Sequence, residues 1–222
     1  YLIDEIFGII DSDLASSYFY YSDGRYYAGP LWDYDMTLGN YYRNEDPCSF
    51  IAKNPNKSSR DFSFYNGALY ENDSFYERTV ELYKESFLPV LTKMIDEDVY
   101  SLTESISAAS KMNSIRWEDM YKNFYENGIV TPTTIDDMVS YLDSRVGFLN
   151  SAWIEGIHYC TVQFEFTPGV IYHSISIEEG DLLESKGGRF TDYKWIHKET
   201  GQRFDHTQPI YSDMILILDT GI

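Results

Sequence analysis

The residues best placed by type and spacing to do chemistry are Asp33 and Asp35, in the stretch YYAGPLWDYDMTLGN from Tyr26 to Asn40. Two carboxylates one residue apart repel each other unless a proton or a cation compensates them. Their hard oxygens suit Mg²⁺, Mn²⁺ or Ca²⁺. In an extended segment this spacing turns both carboxylates to one side and Trp32 and Tyr34 to the other. Two readings are open: a solvated turn on an acidic surface, or a pair that holds a metal. The aromatic and apolar neighbours in GPLWDYDMTLG favour carboxylates that are not merely solvated.

A second acidic pair, Asp11 and Asp13 in IIDSDLASS, stands at the expected end of the first helix. An acidic helix end, a hairpin and then a metal-holding aspartate is the layout in which kinases carry base and metal ligand. Asp-Ser-Asp is equally ordinary helix-stop and turn chemistry. No histidine precedes His158, so Ser-His-Asp and Cys-His catalysis are excluded from the first part of the chain. His158, His173, His197 and His206 lack paired spacing and read as ordinary surface or half-buried residues. No G-x-x-x-x-G-K-[ST] or G-x-G-x-x-G loop is present to cradle a phosphate. The tyrosines and tryptophans admit a carbohydrate platform, but most fall at core-like spacing.

The elements that must position these residues can be read from periodicity. YLIDEIFGII sets Leu2, Ile3, Ile6, Phe7 and Ile10 on one helical face. Aromatic runs on both sides of Ser22-Asp23-Gly24 predict a hairpin, because Asp-Gly accepts the positive φ of a tight turn. The polar stretch from Pro47 to Gly67 predicts a long loop. Helical patterns follow at Asp73–Met94, Asp96–Asn113 and Thr133–Trp153, the last with Thr134 as cap and Asp136 and Asp137 at its positive end. From about residue 157 the pattern alternates as strands do, and SKGGRF between them reads as a turn.

The 222 residues with 43% hydrophobic content suit a globular protein. A formal net charge of −19 disfavours nucleic acid and anionic membrane surfaces as partners. It leaves room for a phosphorylated small molecule, since a divalent cation reverses the local field. No apolar run approaches a membrane span. Cys48 and Cys160 show no metal-ligand spacing, and their pairing is left open. Few cysteines, 21 tyrosines and a strongly acidic surface suit an exported bacterial protein. A start at Tyr1 in mid-pattern gives the expectation of a piece of a longer protein.

YFYYSDGRYYAGPLWDYDMTLGN, preceded by DEIFGIIDSD, resembles the metal-binding core of the spore coat protein H (CotH) kinase family. SAASKMNSIRW and YLDSRVGFLNSAW resemble the helical C-terminal part of the same domain. The resemblance implies an atypical, often exported bacterial protein kinase that moves phosphate from ATP to Ser or Thr. By position it makes Asp33 the Mg²⁺ (or Mn²⁺) ligand with Asp35 beside it, and Asp11 the catalytic aspartate with Asp13 as rival. Ser17 falls near the place where many relatives have a metal-holding Asn. The half that supplies the nucleotide lysine would lie upstream of Tyr1, so this piece is expected to be inactive alone. VQFEFTPGVIYHSISIEEGD with YKWIHKETGQRFDHTQPIYSDMILIL resembles the B-repeats of internalin-type surface proteins, which are small β-grasp-like spacers and adhesion modules.

The expected fold is α+β: a mainly helical kinase-like C-terminal lobe with a β-hairpin over residues 1–156, then a small β-rich, β-grasp-like module over 157–222. The expected partners are ATP and a protein substrate, with cell wall or polysaccharide as a further one, at a secreted or cell-surface location. The rival reading is a non-catalytic surface protein on a degenerate kinase fold, for adhesion or cell-wall attachment. A D-x-D glycosyltransferase needs alternating strands and helices, which the helix-rich stretch does not offer.

Overall fold

The computed structural model describes residues 1–10, 16, 18–40, 46–53, 64–126 and 134–221. The first helix, α1 (Leu2–Phe7), stops where Gly8 turns left-handed at φ 64°. The apolar pattern runs on to Ile10, but the helix does not. Glycine tolerates the left-handed conformation without a Cβ penalty, and the Gly8 N–H caps the carbonyls of Asp4 and Glu5. Ile9 is buried beyond the helix instead of on its face.

The predicted hairpin forms from β1 (Phe19–Ser22) and β2 (Arg25–Ala28), paired so that Ser22 faces Arg25. Asp23 and Gly24 make the two-residue turn with φ of 50° and 76°. Both values are positive, as a turn matched to the twist of the strands requires. Tyr20 stacks on Tyr27 at 5.2 Å, and Tyr21 leans on Tyr26 at the same distance.

After α2 (Phe64–Tyr70), a helical rod runs without interruption from Asp73 to Arg116. It comprises α3 (Asp73–Leu82), a π-turn at Tyr83–Phe87, α4 (Leu88–Lys93), a second π-turn at Met94–Asp98, and α5 (Val99–Arg116). The expected break at residues 94–96 is absent. The second π-turn absorbs the extra residue, and Lys93 is paired with Asp98 across it at 2.8 Å. The first π-turn precedes Pro89, whose ring cannot donate to the preceding turn. Helix α6 (Glu118–Glu126) follows, and then α7 (Ile135–Trp153). Thr134 caps α7 as expected. Its Oγ1 accepts from the Asp137 N–H at 3.1 Å, while the Asp137 carboxylate accepts from the Thr134 N–H at 2.9 Å.

Helix α7 is the centre of the first buried cluster. Leu142, Leu149 and Trp153 pack with Ile6 of α1, Phe50, Tyr83 of the first π-turn and Leu91 of α4. A second cluster belongs to a five-stranded mixed sheet ordered β4-β3-β7-β5-β6. Its strands are β3 (Tyr159–Thr167), β4 (Val170–Glu178), β5 (Trp195–His197), β6 (Arg203–Phe204) and β7 (Met214–Leu218). β3 and β7 run parallel and the other neighbours antiparallel. The SKGGRF stretch is not a simple turn. It forms α8 (Leu183–Lys186) and a 3₁₀ turn at Gly188–Asp192, which seats Phe190 against Phe164 at 4.1 Å. Both cysteines are free thiols.

Candidate functional site

The site is built from the hairpin outward. The Gly29 N–H carries the hairpin ladder one bond further, to the Tyr18 carbonyl at 2.5 Å, and Pro30 then has no N–H with which to continue it. A Cβ on Gly29 would stand 2.8 Å from Tyr18, so only glycine lets the chain cross there. Beyond Pro30 the backbone is irregular. Asp33 has φ 63°, Leu38 φ 52° and Gly39 φ 78°. The extended geometry expected for the D-x-D is therefore not found, since Asp33 is left-handed and Tyr34 and Asp35 form a turn. Aspartate tolerates this conformation better than most residues, whereas leucine is strained in it.

Local hydrogen bonds hold the turn in shape. Thr37 Oγ1 donates to the Tyr34 carbonyl at 3.1 Å, and the Asn40 side chain donates to the Asp35 carbonyl. The Leu38 N–H donates to the Phe7 carbonyl at 2.9 Å, which ties the turn to the end of α1. The side chain of Tyr141 on α7 supports both partners. A Cβ on Gly8 would meet its hydroxyl, and a Cβ on Gly39 would meet its ring, each at 2.7 Å. Tyr141 is buried and, among the described residues, its hydroxyl has no hydrogen-bond partner. Burial raises that hydroxyl's pKa to about 12.

Asp33 and Asp35 are both exposed, contrary to the expectation that their apolar neighbours would shield them. Those neighbours are exposed too: Trp32 at 58%, Leu31 at 62% and Tyr26 at 80%. The hairpin aromatics therefore form a surface ledge and not a core. Among the described residues neither carboxylate has a hydrogen-bond or ion-pair partner. Asp11, Asp13 and Ser17 lie outside the described residues. Among the described residues no group of three or more His, Cys, Asp or Glu gathers as a metal cage. What the turn offers is two exposed carboxylates with hard oxygens and no partner among the described residues. Such a donor set fits Mg²⁺, which is commonly held by one or two carboxylates and completed by water and phosphate oxygens.

Beside the turn lies an open groove of about 460 Å³, lined by α1, Tyr18, Phe19, Ala28–Leu31 and Tyr34 on one side and by Leu69, Phe75 and Phe87 on the other. The other conspicuous constellation is an anchor that the sequence reading passed over. Glu5 and Arg145 are completely buried and ion-paired. The Glu5 carboxylate accepts from the N–H groups of Ile51 at 2.6 Å and Lys53 at 2.8 Å. Arg145 also donates to the carbonyls of Glu5, Pro47 and Ser49. A lone arginine among the apolar positions of YLDSRVGFLNSAW was the signal available, since a charge on a buried helix face needs a partner.

The family model described as CotH kinase protein matches residues 1–149. No curated protein and no solved structure matches the chain.

Proposed function

The chain belongs to the CotH kinase protein family, and on that premise we propose that it carries the metal-holding region of an exported atypical protein kinase. The reaction would be transfer of the γ-phosphoryl group of ATP to a Ser or Thr hydroxyl of a protein. The single observation behind this reading is the D-x-D turn. Its two carboxylates are exposed and have no partner among the described residues, on a backbone held by Leu38, Asn40 and Tyr141. Asp33 and Asp35 would hold Mg²⁺ or Mn²⁺, which when bound neutralises charge on the phosphates. The chain's own part is positioning: a turn fixed before the ligand arrives loses little freedom on binding. By family position Asp11, with Asp13 as rival, would take the proton of the acceptor hydroxyl, and Ser17 would assist at the metal.

The test is Asp33→Ala in the intact protein, with Mg²⁺·ATP binding followed by calorimetry and autophosphorylation by phosphate incorporation. Both are expected to be lost, and undiminished autophosphorylation would overturn the assignment. A second reading, a surface protein that binds without catalysis, is favoured by the exposed ledge of Phe19, Tyr21, Tyr26 and Trp32. On that reading nucleotide gives no heat with either metal. The secreted or cell-surface location, a cell-wall partner and the repeat-like nature of residues 157–222 belong to this proposal as well.

A further inference from the structure

The C-terminal sheet does more than follow the family-matched region, because it grips a segment that region also grips. The amide of Phe50 donates to Ser176 Oγ at 2.9 Å, and the amide of Ser176 donates to Ser49 Oγ at 2.8 Å. All three residues are buried. Lys186 of α8 reaches across and donates to the Cys48 carbonyl and, at 2.5 Å, to the Ser176 carbonyl. It also pairs with Asp46 at 3.3 Å, and Asp46 in turn caps the Cys48 N–H at 2.9 Å. Segment 46–53 is thus held from one side by Lys186 and Ser176, and from the other by Arg145 and Glu5.

That second side leads to the D-x-D turn through contacts already described. Glu5 lies in α1, whose terminal carbonyl at Phe7 receives the Leu38 N–H. Arg145 and Tyr141 stand one turn apart on α7, and Tyr141 packs on both Gly8 and Gly39. Ile51 closes the circuit, its Cδ1 lying 3.1 Å from where a Gly8 Cβ would be. Buried polar networks of this kind are rigid, because each partner that moves leaves another unsatisfied in a low-dielectric interior.

We propose that residues 159–218 are a cis-acting positioning element for the D-x-D turn, acting through Lys186 and Ser176 on segment 46–53. Lys186 is then a positioning residue and not a catalytic one. A detachable spacer would leave the turn unchanged when its contacts are cut. A positioning element would not, and by linkage the coupling runs both ways. The functional consequence rests on the kinase reading; the coupling itself does not.

The experiment is amide hydrogen exchange on the intact protein, comparing wild type with Lys186→Met and with the milder Ser176→Ala. The proposal expects faster exchange at Phe50 and Ile51 and, decisively, acceleration of about tenfold or more at Leu38 and Asn40. Acceleration confined to residues 46–53 in both variants would overturn it. Should Lys186→Met fail to fold, Ser176→Ala decides alone. Mg²⁺·ATP binding is read in the same variants, with an increase in Kd of about tenfold expected from the same coupling. If Asp33→Asn leaves that Kd unchanged, the kinase reading falls, while the exchange at Leu38 and Asn40 still decides the coupling.

Discussion

The turn at residues 33–40 and the segment at 46–53 are near neighbours in sequence and opposites in physics. The first exposes Asp33 and Asp35, is locally strained at Leu38, and leaves those two carboxylates without a partner among the described residues. The second is buried at Ser49, Phe50 and Ala52, and its backbone groups are taken up by Glu5, Arg145, Lys186 and Ser176. On the proposed reading the pair that binds a ligand is left uncommitted, and the scaffold that fixes it spends its charges internally. The same residue types therefore carry different meanings. Asp33 makes no side-chain hydrogen bond or ion pair among the described residues, whereas the Glu5 carboxylate is taken up by Ile51, Lys53 and Arg145.

Mutations can break or sharpen that contrast. The largest effect is expected for Arg145→Met, which leaves the Glu5 carboxylate buried without its cation. Breaking such a pair costs about 3–5 kcal/mol, measurable as a shift in the urea midpoint. Next is Gly39→Ala, which combines a left-handed backbone with a Cβ 2.7 Å from the Tyr141 ring. It should destabilise by about 2 kcal/mol or more, and Tyr141→Leu should restore part of that loss if the clash is the cause.

A smaller effect is expected from acid. Burial alone would raise the Asp46 carboxyl, but Lys186, the Ser49 hydroxyl and the Cys48 amide outweigh it and hold it below its usual value of 3.8. A carboxyl depressed in the folded state contributes stability above its unfolded pKa and loses it as pH falls through the folded one. Urea unfolding of wild type should therefore weaken below about pH 4, and Asp46→Asn should flatten that acid limb. The smallest stability change belongs to Asp33→Ala, about 1 kcal/mol, because the exposed side chain has no partner among the described residues and only the left-handed backbone penalises alanine. A thermal melt that shows a large loss would mean that Asp33 serves the fold, contrary to the contrast drawn here.

Much of this was legible from the residues alone, for stated local reasons. Asp23-Gly24 predicted its hairpin because two consecutive positive φ angles select such pairs. Thr134 and Asp137 predicted the start of α7 because the capping box is a matter of four adjacent residues. The alternating pattern after residue 157 predicted strands. The motif around Asp33 pointed to the family that residues 1–149 match. Each of these depends on interactions within a few positions of the chain.

What failed in the reading depended on distant neighbours. The helix of residues 73–116 runs through its expected break because a π-turn can absorb a register change that periodicity reads as an end. The aromatics of the hairpin are exposed because no described element covers their face, although their spacing is that of a core. The polar stretch after Pro47 has no helix or strand over its described residues 47–53, as a loop should, yet it is anchored, since partners 96 to 138 residues away take up its carbonyls. Sequence by itself determined which residues have chemistry to offer and where turns and caps fall, because those are local preferences. Only the tertiary structure decided which of the described charges are spent on the fold and which are left exposed, because burial and pairing are properties of residues that meet in space.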